Sequence, residues 1–252
     1  MSPNDATGAS PKTAAAIVIG NEILSGKIVE SNLVVLARTL RDIGVQLRHV
    51  AIVRDEIAEI VVAIRQLSPA HDWLFTSGGV GPTHDDVTVE AASKAFGVPV
   101  VRDETLSALI RAHYAERCTD GHLRMALVPE GAVLETNGDL RWPAIRIQNT
   151  WLLPGVPEAF RAKLSVAAQK LGRAQAFISK AVYVKMDEGH LKPLLDTVVE
   201  RFKDVEIGSY PKWFDDTYKT KLTFDGLEPR RVDEACSAFI AMLPPGEPQW
   251  VE

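Results

Sequence analysis

A chain of 252 residues that is 46% hydrophobic and 24% charged can bury one large core, or a large and a small one, and this composition excludes extended disorder. A net charge of −5 and an isoelectric point near 5.7 give no global attraction to nucleic acid or anionic lipid. Cys118 and Cys236 lie far apart in unrelated segments, which suggests neither a disulfide framework nor a zinc site; ordinary thiols in a reducing, cytoplasmic location are expected.

Residues 1–12 are rich in Ser, Pro, Asn and Gly and lack an apolar h-region, so they read as a flexible tail rather than a signal peptide. No apolar stretch is long enough to span a bilayer. Ala14 to Ile19 is a strand-like run ending in Gly20, Asn21 and Glu22. Apolar spacing predicts a helix over Leu33 to Ile43, stopped by Gly44 where left-handed backbone suits glycine. A strand is expected over Val45 to Val53. Asp55 can then cap a helix running to Leu67, with Ile57, Ile60, Val61 and Ile64 on one face.

Asp72 to Thr76 reads as a buried strand, and Val87 to Phe96 as an amphipathic helix ending at Gly97. Further on, a helix is expected over Glu104 to Arg117. Val133 to Leu140 and Ala144 to Leu153 can pair as strands across the turn signal Asn137-Gly138. Pro154 and Pro157 break the chain before a helix over Glu158 to Leu171, the second proline suiting a first helical turn. Strands alternating with helices predict a mainly parallel sheet with helices on both faces, a three-layer α/β/α domain over 13–174. From Ile178 the order changes. Strands over Ala181 to Met186, Val205 to Tyr210 and Lys219 to Phe224, with helices over Gly189 to Phe202 and Arg231 to Met242, predict a small α+β domain over 175–252.

The most informative stretch joins the Asp72 strand to the Val87 helix: Thr76, Ser77, Gly78, Gly79, Val80, Gly81, Pro82, Thr83, His84, Asp85 and Asp86. Glycines let a backbone approach an anion and turn consecutive N–H groups toward phosphate oxygens. Ser77 and Thr83 can add hydroxyl donors, and a branched side chain at Gly79 is expected to occupy the phosphate's place. Adjacent aspartates supply hard oxygens for Mg²⁺ or orient a nucleophile. The loop sits at a strand's carboxyl end, where open α/β sheets bind ligands. It has neither P-loop nor dinucleotide spacing. A tight turn with Asp85 or Asp86 capping a helix is the plain alternative. The six histidines show no metal spacing, and His84 reads as a surface residue.

Several ordered segments resemble one family: Gly20 to Gly26, Ser31-Asn32, Thr76 to Thr88, and Leu153-Pro154-Gly155-Val156-Pro157-Glu158. Together they resemble the molybdopterin-binding domain of the MoaB/Mog type over about residues 14 to 170, with likeness to the N-terminal region of competence/damage-inducible protein CinA and to the corresponding domain of FAD synthases. Gly208 to Pro211 extends the likeness into the smaller domain. The chain ends at Glu252, so the CinA amidase and FAD synthase adenylyltransferase activities are not expected.

The resemblance implies that Gly78, Gly79 and Gly81 bind phosphate and that Asp86 is the functional aspartate, Asp85 being the added acid of the CinA-like branch. It also places Asp55 in the active site, although a plain helix cap explains that residue equally well. Glu22 can face the same crevice, and Asn21 and Asn32 can donate amide N–H groups to phosphate or stabilise turns. Pro154, Gly155, Pro157 and Glu158 fall in the family's Leu-Pro-Gly-x-Pro segment, or form a simple strand-to-helix connection. Trp213, Phe214 and Tyr218 offer stacking surfaces, though core packing is the commoner use of such residues. Lys212, Lys219 and Lys221 can contact phosphate or solvate an exposed face.

The implied chemistry is metal-dependent hydrolysis of a nucleotide diphosphate of the ADP-ribose or FAD type, with Asp86, Asp85 and Glu22 holding Mg²⁺, Co²⁺ or Mn²⁺. The alternatives are a molybdopterin-binding or adenylyl-transferring protein of molybdenum cofactor assembly, and a non-catalytic nucleotide or pterin binder. A small phosphorylated ligand and a homo-oligomer are expected, with no nucleic acid or membrane partner.

Overall fold

The computed structural model describes residues 11–138, 142–172, 176–213 and 217–252. Most of the expected tail, the end of the strand drawn to Leu140, Phe214, and most of the domain boundary lie outside these. The chain forms two compact units, Met1–Ala174 and Gln175–Glu252.

Strand β1 (Lys12–Ile19) is buried along most of its length. Lys12, assigned to the tail from its polarity, instead opens this strand and pairs with Val45. The side chains of β1 alternate as a pleat requires. Ala15, Ile17 and Ile19 enter one core, Ala14 and Ala16 the other. A sheet covered on both faces needs this near-continuous apolar run.

The chain continues through α1 (Asn21–Leu24), α2 (Asn32–Asp42), β2 (Val45–Val53), α3 (Ile57–Leu67), β3 (Trp73–Ser77) and α4 (Thr88–Phe96). After α4 come β4 (Val100–Arg102), α5 (Glu104–Tyr114), α6 (Asp120–Leu123), β5 (Leu127–Pro129), β6 (Val133–Glu135), β7 (Ala144–Ile147), β8 (Thr150–Leu153) and α7 (Pro157–Leu171). Among the described residues the main sheet runs β2-β1-β3-β8-β7-β6, and β4 pairs with β5 apart from it. The pairs β1/β2, β1/β3 and β3/β8 are parallel, while β7 runs antiparallel to both its neighbours. Leu36 and Leu40 of α2 and Phe160 and Leu164 of α7 pack on one face. Ile60 and Ile64 of α3, Ala91 and Ala92 of α4, and Leu106 and Ile110 of α5 pack on the other. The fold is therefore the expected mainly parallel three-layer arrangement.

The sequence reading of one strand over Ala144 to Leu153 needs correction, because β7 and β8 are two arms of a hairpin turning at Gln148 and Asn149. Gln148 takes a left-handed φ of 50°. Asn149 fixes the turn from outside, its amide donating to the carbonyls of Ser68 (2.8 Å) and His71 (3.0 Å). A distant loop thus decides the break, which local apolar pattern does not show. The helix drawn to Arg117 also stops earlier, at Tyr114, and closes in a 3₁₀ turn. On β6, the largely buried Glu135 accepts from Arg146 Nη2 of β7 (2.7 Å) and pairs with Lys170 Nζ of α7 (3.2 Å), tying that helix to the sheet.

The second unit contains β9 (Ile178–Val184), α8 (Glu188–Arg201), β10 (Glu206–Pro211), β11 (Thr220–Gly226), α9 (Pro229–Ile240) and β12 (Trp250–Val251). Its antiparallel sheet runs β10-β11-β9-β12. Val182, Val184, Leu222 and Phe224 share one face with Leu191 and Val198 of α8 and Val232 and Phe239 of α9, so both helices cover the same side, as the α+β reading requires. Tyr218 packs edge-on against Tyr183 (5.0 Å) and Trp250 (5.5 Å), which is packing within the unit, whereas Trp213 is exposed.

Two glycines separate steric crowding from backbone conformation. Gly78 has φ +112° and an added Cβ would come within 2.2 Å of the Ile19 carbonyl oxygen, whereas Gly97 has φ +71° with nothing within 4 Å. Gly97→Ala should cost about 1 kcal/mol, the conformational strain alone. Gly78→Ala should cost about 3 kcal/mol or more, because a β1 backbone atom must also move. Urea denaturation of both variants checks the difference; equal costs would show that Gly78 is not crowded.

Candidate functional site

Strand order reverses beside β1: the chain leaves β1 for β2 on one side and returns to β3 on the other. Such a reversal opens a crevice at the strands' carboxyl ends. Here β1 ends at Gly20, β3 at the glycine loop and β8 at Pro154 and Gly155. The loops are tied together by backbone bonds, Gly20 N–H to Val53 O (3.2 Å) and Gly78 N–H to Leu153 O (3.0 Å).

The crevice is a cavity of about 620 Å³. Glu22, Asp55, Gly78, Gly79, Val80, Gly81, Pro82, Asp85, Asp86, Pro154 and Gly155 line it, so residues from four separated segments meet in one cavity. Gly20, Asn21, Asn32, Thr76, Ser77, Thr83, Pro157 and Glu158 are outside that lining. Thr76 is fully buried in the sheet, its hydroxyl 3.5 Å from the Trp151 carbonyl. Pro157 and Glu158 begin α7, with Glu158 exposed.

The polar residues around the cavity divide into those that hold the loop and those free to meet a ligand. Asn32 is 4% exposed, and its amide nitrogen donates to Ser77 Oγ (3.0 Å) and to Gly155 O (2.8 Å). Both its N–H groups are thus spent on joining the ends of β3 and β8, so the turn-stabilising alternative describes it and phosphate donation does not. Thr88 fastens the other side, its hydroxyl donating to Gly78 O (2.8 Å) and its N–H to Gly79 O (2.9 Å). A Cβ on Gly79 would meet Thr88 Oγ1 at 2.3 Å. The loop's own anchor and a φ of +67° therefore disfavour any side chain there.

Neither aspartate of the loop caps α4, whose N-cap is Val87 without a side-chain bond. Both turn back to Thr83 instead. Asp86 Oδ2 accepts from Thr83 N–H (2.7 Å) and from its hydroxyl, which also lies 2.6 Å from Asp85 Oδ1. That hydroxyl holds the Asp85 carboxyl below its usual range. The helix-cap reading of Asp55 is also corrected: α3 begins after Glu56 with no side-chain cap, and Asp55 Oδ2 accepts from Asn21 N–H (2.7 Å). The carboxylate is drawn across to α1 because both chain ends emerge beside each other from parallel strands. His84 is 97% exposed, with Nδ1 3.9 Å from Asp85. Among the described residues the Glu22 carboxylate has no hydrogen-bond or ionic partner.

The cavity is also lined by residues that sequence reasoning did not select: His113, Tyr114, Trp142 and Lys163. His113 meets Trp142 edge-on at 5.4 Å. Val156, Ala159 and Lys163 fall at successive i+3 and i+4 steps along α7 and all line the cavity, while Phe160 and Leu164 face the core. That stripe was visible in the sequence as a lysine interrupting an otherwise small apolar face.

Three comparisons with known proteins bear on this chain. Residues 15–173 match the family described as probable molybdopterin binding domain, and residues 176–251 match FAD synthase, middle domain. A probable FAD synthase of Caenorhabditis elegans is 33% identical over 85% of this chain, and the alignment spans 46% of the relative. The Caenorhabditis briggsae relative gives the same coverage, so the chain spans about half the length of these relatives. A protein of Archaeoglobus fulgidus is 30% identical over 90% of this chain and 96% of its own length. Among solved structures, the protein CinA of Thermoplasma acidophilum, titled as of unknown function, superposes with a TM-score of 0.59 at 32% identity, covering 64% of this chain and 98% of that one. With its larger unit matched almost from end to end, the chain belongs to the molybdopterin-binding (MoaB/Mog-like) domain family, joined here to an FAD synthase middle domain.

Proposed function

We propose that the first unit hydrolyses the phosphoanhydride of a nucleotide diphosphate, ADP-ribose and FAD being the candidate substrates, with a divalent cation. The observation that carries this reading is the convergence of Glu22, Asp55, Asp85 and Asp86 with the Gly78–Gly81 loop in one cavity. Four carboxylates repel a phosphate, so a phosphorylated ligand there needs a cation between them.

The four carboxylates line one cavity, yet among the described residues no three His, Cys, Asp or Glu side chains form a ready-made metal cage. Mg²⁺ is commonly held by only one or two carboxylates, with water and substrate phosphate completing its shell. Glu22 and Asp85 are the residues assigned to hold it, and when bound it would neutralise phosphate charge. Asp86 then orients and deprotonates the attacking water. The water oxygen bonds to one phosphorus, the bridging P–O bond breaks, and its electron pair leaves on the second phosphate, giving two monophosphates. For ADP-ribose these are AMP and ribose 5-phosphate; for FAD they are AMP and FMN.

A second reading, binding of molybdopterin, is favoured by the family description of residues 15–173 and by a glycine loop suited to a terminal phosphate. Pure protein incubated with Mg²⁺, Mn²⁺ or Co²⁺ should release AMP from ADP-ribose or FAD. No release with any of the three, alongside calorimetric binding of a pterin phosphate, would replace the first reading with the second.

Asp86→Asn keeps the shape that receives Thr83 and removes the charge. Single-turnover rate should fall by roughly 100-fold or more with far less change in ligand affinity, the signature of a group acting in the transition state. Unchanged turnover would move the role to Asp55 or Glu22. Glu22→Gln should instead raise the metal concentration needed for half-maximal rate by about tenfold, one charged ligand being lost, with recovery at high metal. An unaltered metal titration would remove Glu22 from the cation's shell.

A further inference from the structure

Among the described residues, Lys163 is the one lysine or arginine lining the cavity, which four carboxylates also line. Its ammonium forms no ion pair or hydrogen bond among the described residues. A lysine usually reaches solvent or a carboxylate when its stem is covered. Here the side chain is partly buried at the cavity, and among the described residues no partner balances its charge.

We propose that Lys163 is the direct cationic contact for the phosphate of the ligand, making the cavity selective for the diphosphate portion of a nucleotide over its uncharged nucleoside. This deepens the proposed function and rests on its assignment of the cavity to phosphorylated ligands. The division of labour follows from charge. Carboxylates on the glycine-loop side of the cavity require a cation between themselves and a phosphate, whereas α7 meets the anion with a positive charge of its own.

Burial alone pushes the Lys163 ammonium down to about 8 from its ordinary 10.5. An anion bound against it favours the charged form and raises that value again, so binding takes up a proton above about pH 8. The other titratable groups around the cavity are Glu22, Asp55, Asp85 and Asp86 on the loop side, and His113 and Tyr114 at the end of α5.

The ligand-free protein provides a first test. At pH 7 the lysine is charged in both states, but folding partly removes that charge from water. Between about pH 8 and 10.5 the unfolded chain binds more protons at this position, so stability contributed there rises with pH. Lys163→Met should therefore melt higher than wild type at pH 7, and the gap should close as pH approaches 10.5. A gap absent at pH 7 would show a solvated ammonium and overturn the proposal.

Binding provides the second. The probe is α,β-methylene-ADP, whose P–C–P bridge resists hydrolysis, titrated by calorimetry at fixed Mg²⁺ from pH 7 to 9.5, with adenosine as the uncharged control. Wild-type affinity for the probe should fall roughly 10- to 30-fold across that range, as expected for one linked proton. Lys163→Met should lose about tenfold or more at pH 7 and show no such fall, consistent with loss of a charge-assisted contact. Lys163→Arg, charged throughout, should restore affinity and hold it level with pH. Adenosine should bind all three proteins alike. If Lys163→Met binds the probe as wild type does, including when it alters only turnover, the proposal is overturned while the cavity assignment stands. If wild type binds neither probe nor any substrate of the proposed hydrolysis, the assignment of the cavity fails and the proposal with it.

Discussion

Gly78 lies where β1, β3 and β8 end side by side, close enough to the Ile19 carbonyl that a Cβ would be 2.2 Å from it, and within bonding reach of Leu153. The cavity depends on this approach. Parallel neighbours deliver their carboxyl ends to the same edge, and only a residue without a side chain lets the loop after β3 cross so near the end of β1. Thr88 and Asn32 then hold the loop from either side, through Gly78 O, Ser77 and Gly155. The polar atoms nearest the loop are consequently structural, and the groups left for a ligand stand further out.

Charge is distributed unevenly around that frame. Asp55 and Asp86 each accept a backbone N–H, which keeps their carboxylates in place without neutralising them. Glu22 has no such tie among the described residues, which leaves it available for a cation. Lys163 stands in the same cavity without joining any of these acids, although a salt bridge would relieve both. Fixed, unneutralised groups of both signs are costly in a ligand-free protein and become favourable when a ligand brings the matching charges.

The second unit follows different rules. Its antiparallel sheet is covered on one side by α8 and α9, and the aromatic residues Tyr183, Tyr218 and Trp250 pack on one another. Ser209, within the stretch that matches the FAD synthase middle domain, donates to Glu188 Oε1 of α8 at 2.7 Å. That segment therefore ties β10 to the start of a helix within its own unit.

By itself the sequence determined what local pattern controls. The apolar run Ala14 to Ile19, the glycine stops at Gly44 and Gly97, and Pro157 at the start of α7 define the alternating strands and helices, and the ordered motifs identify the larger domain. Period and backbone preference act over a few residues, so they are legible without contacts. Tertiary structure decided the rest. The break at Gln148 depends on Asn149 reaching Ser68 and His71, and Asp55 serves α1 rather than α3 because their ends emerge together. Likewise, Lys163 enters the cavity through the orientation of α7 on the sheet. Each is a pairing of groups distant in the chain, chosen by the geometry of packed elements, and no local preference encodes it.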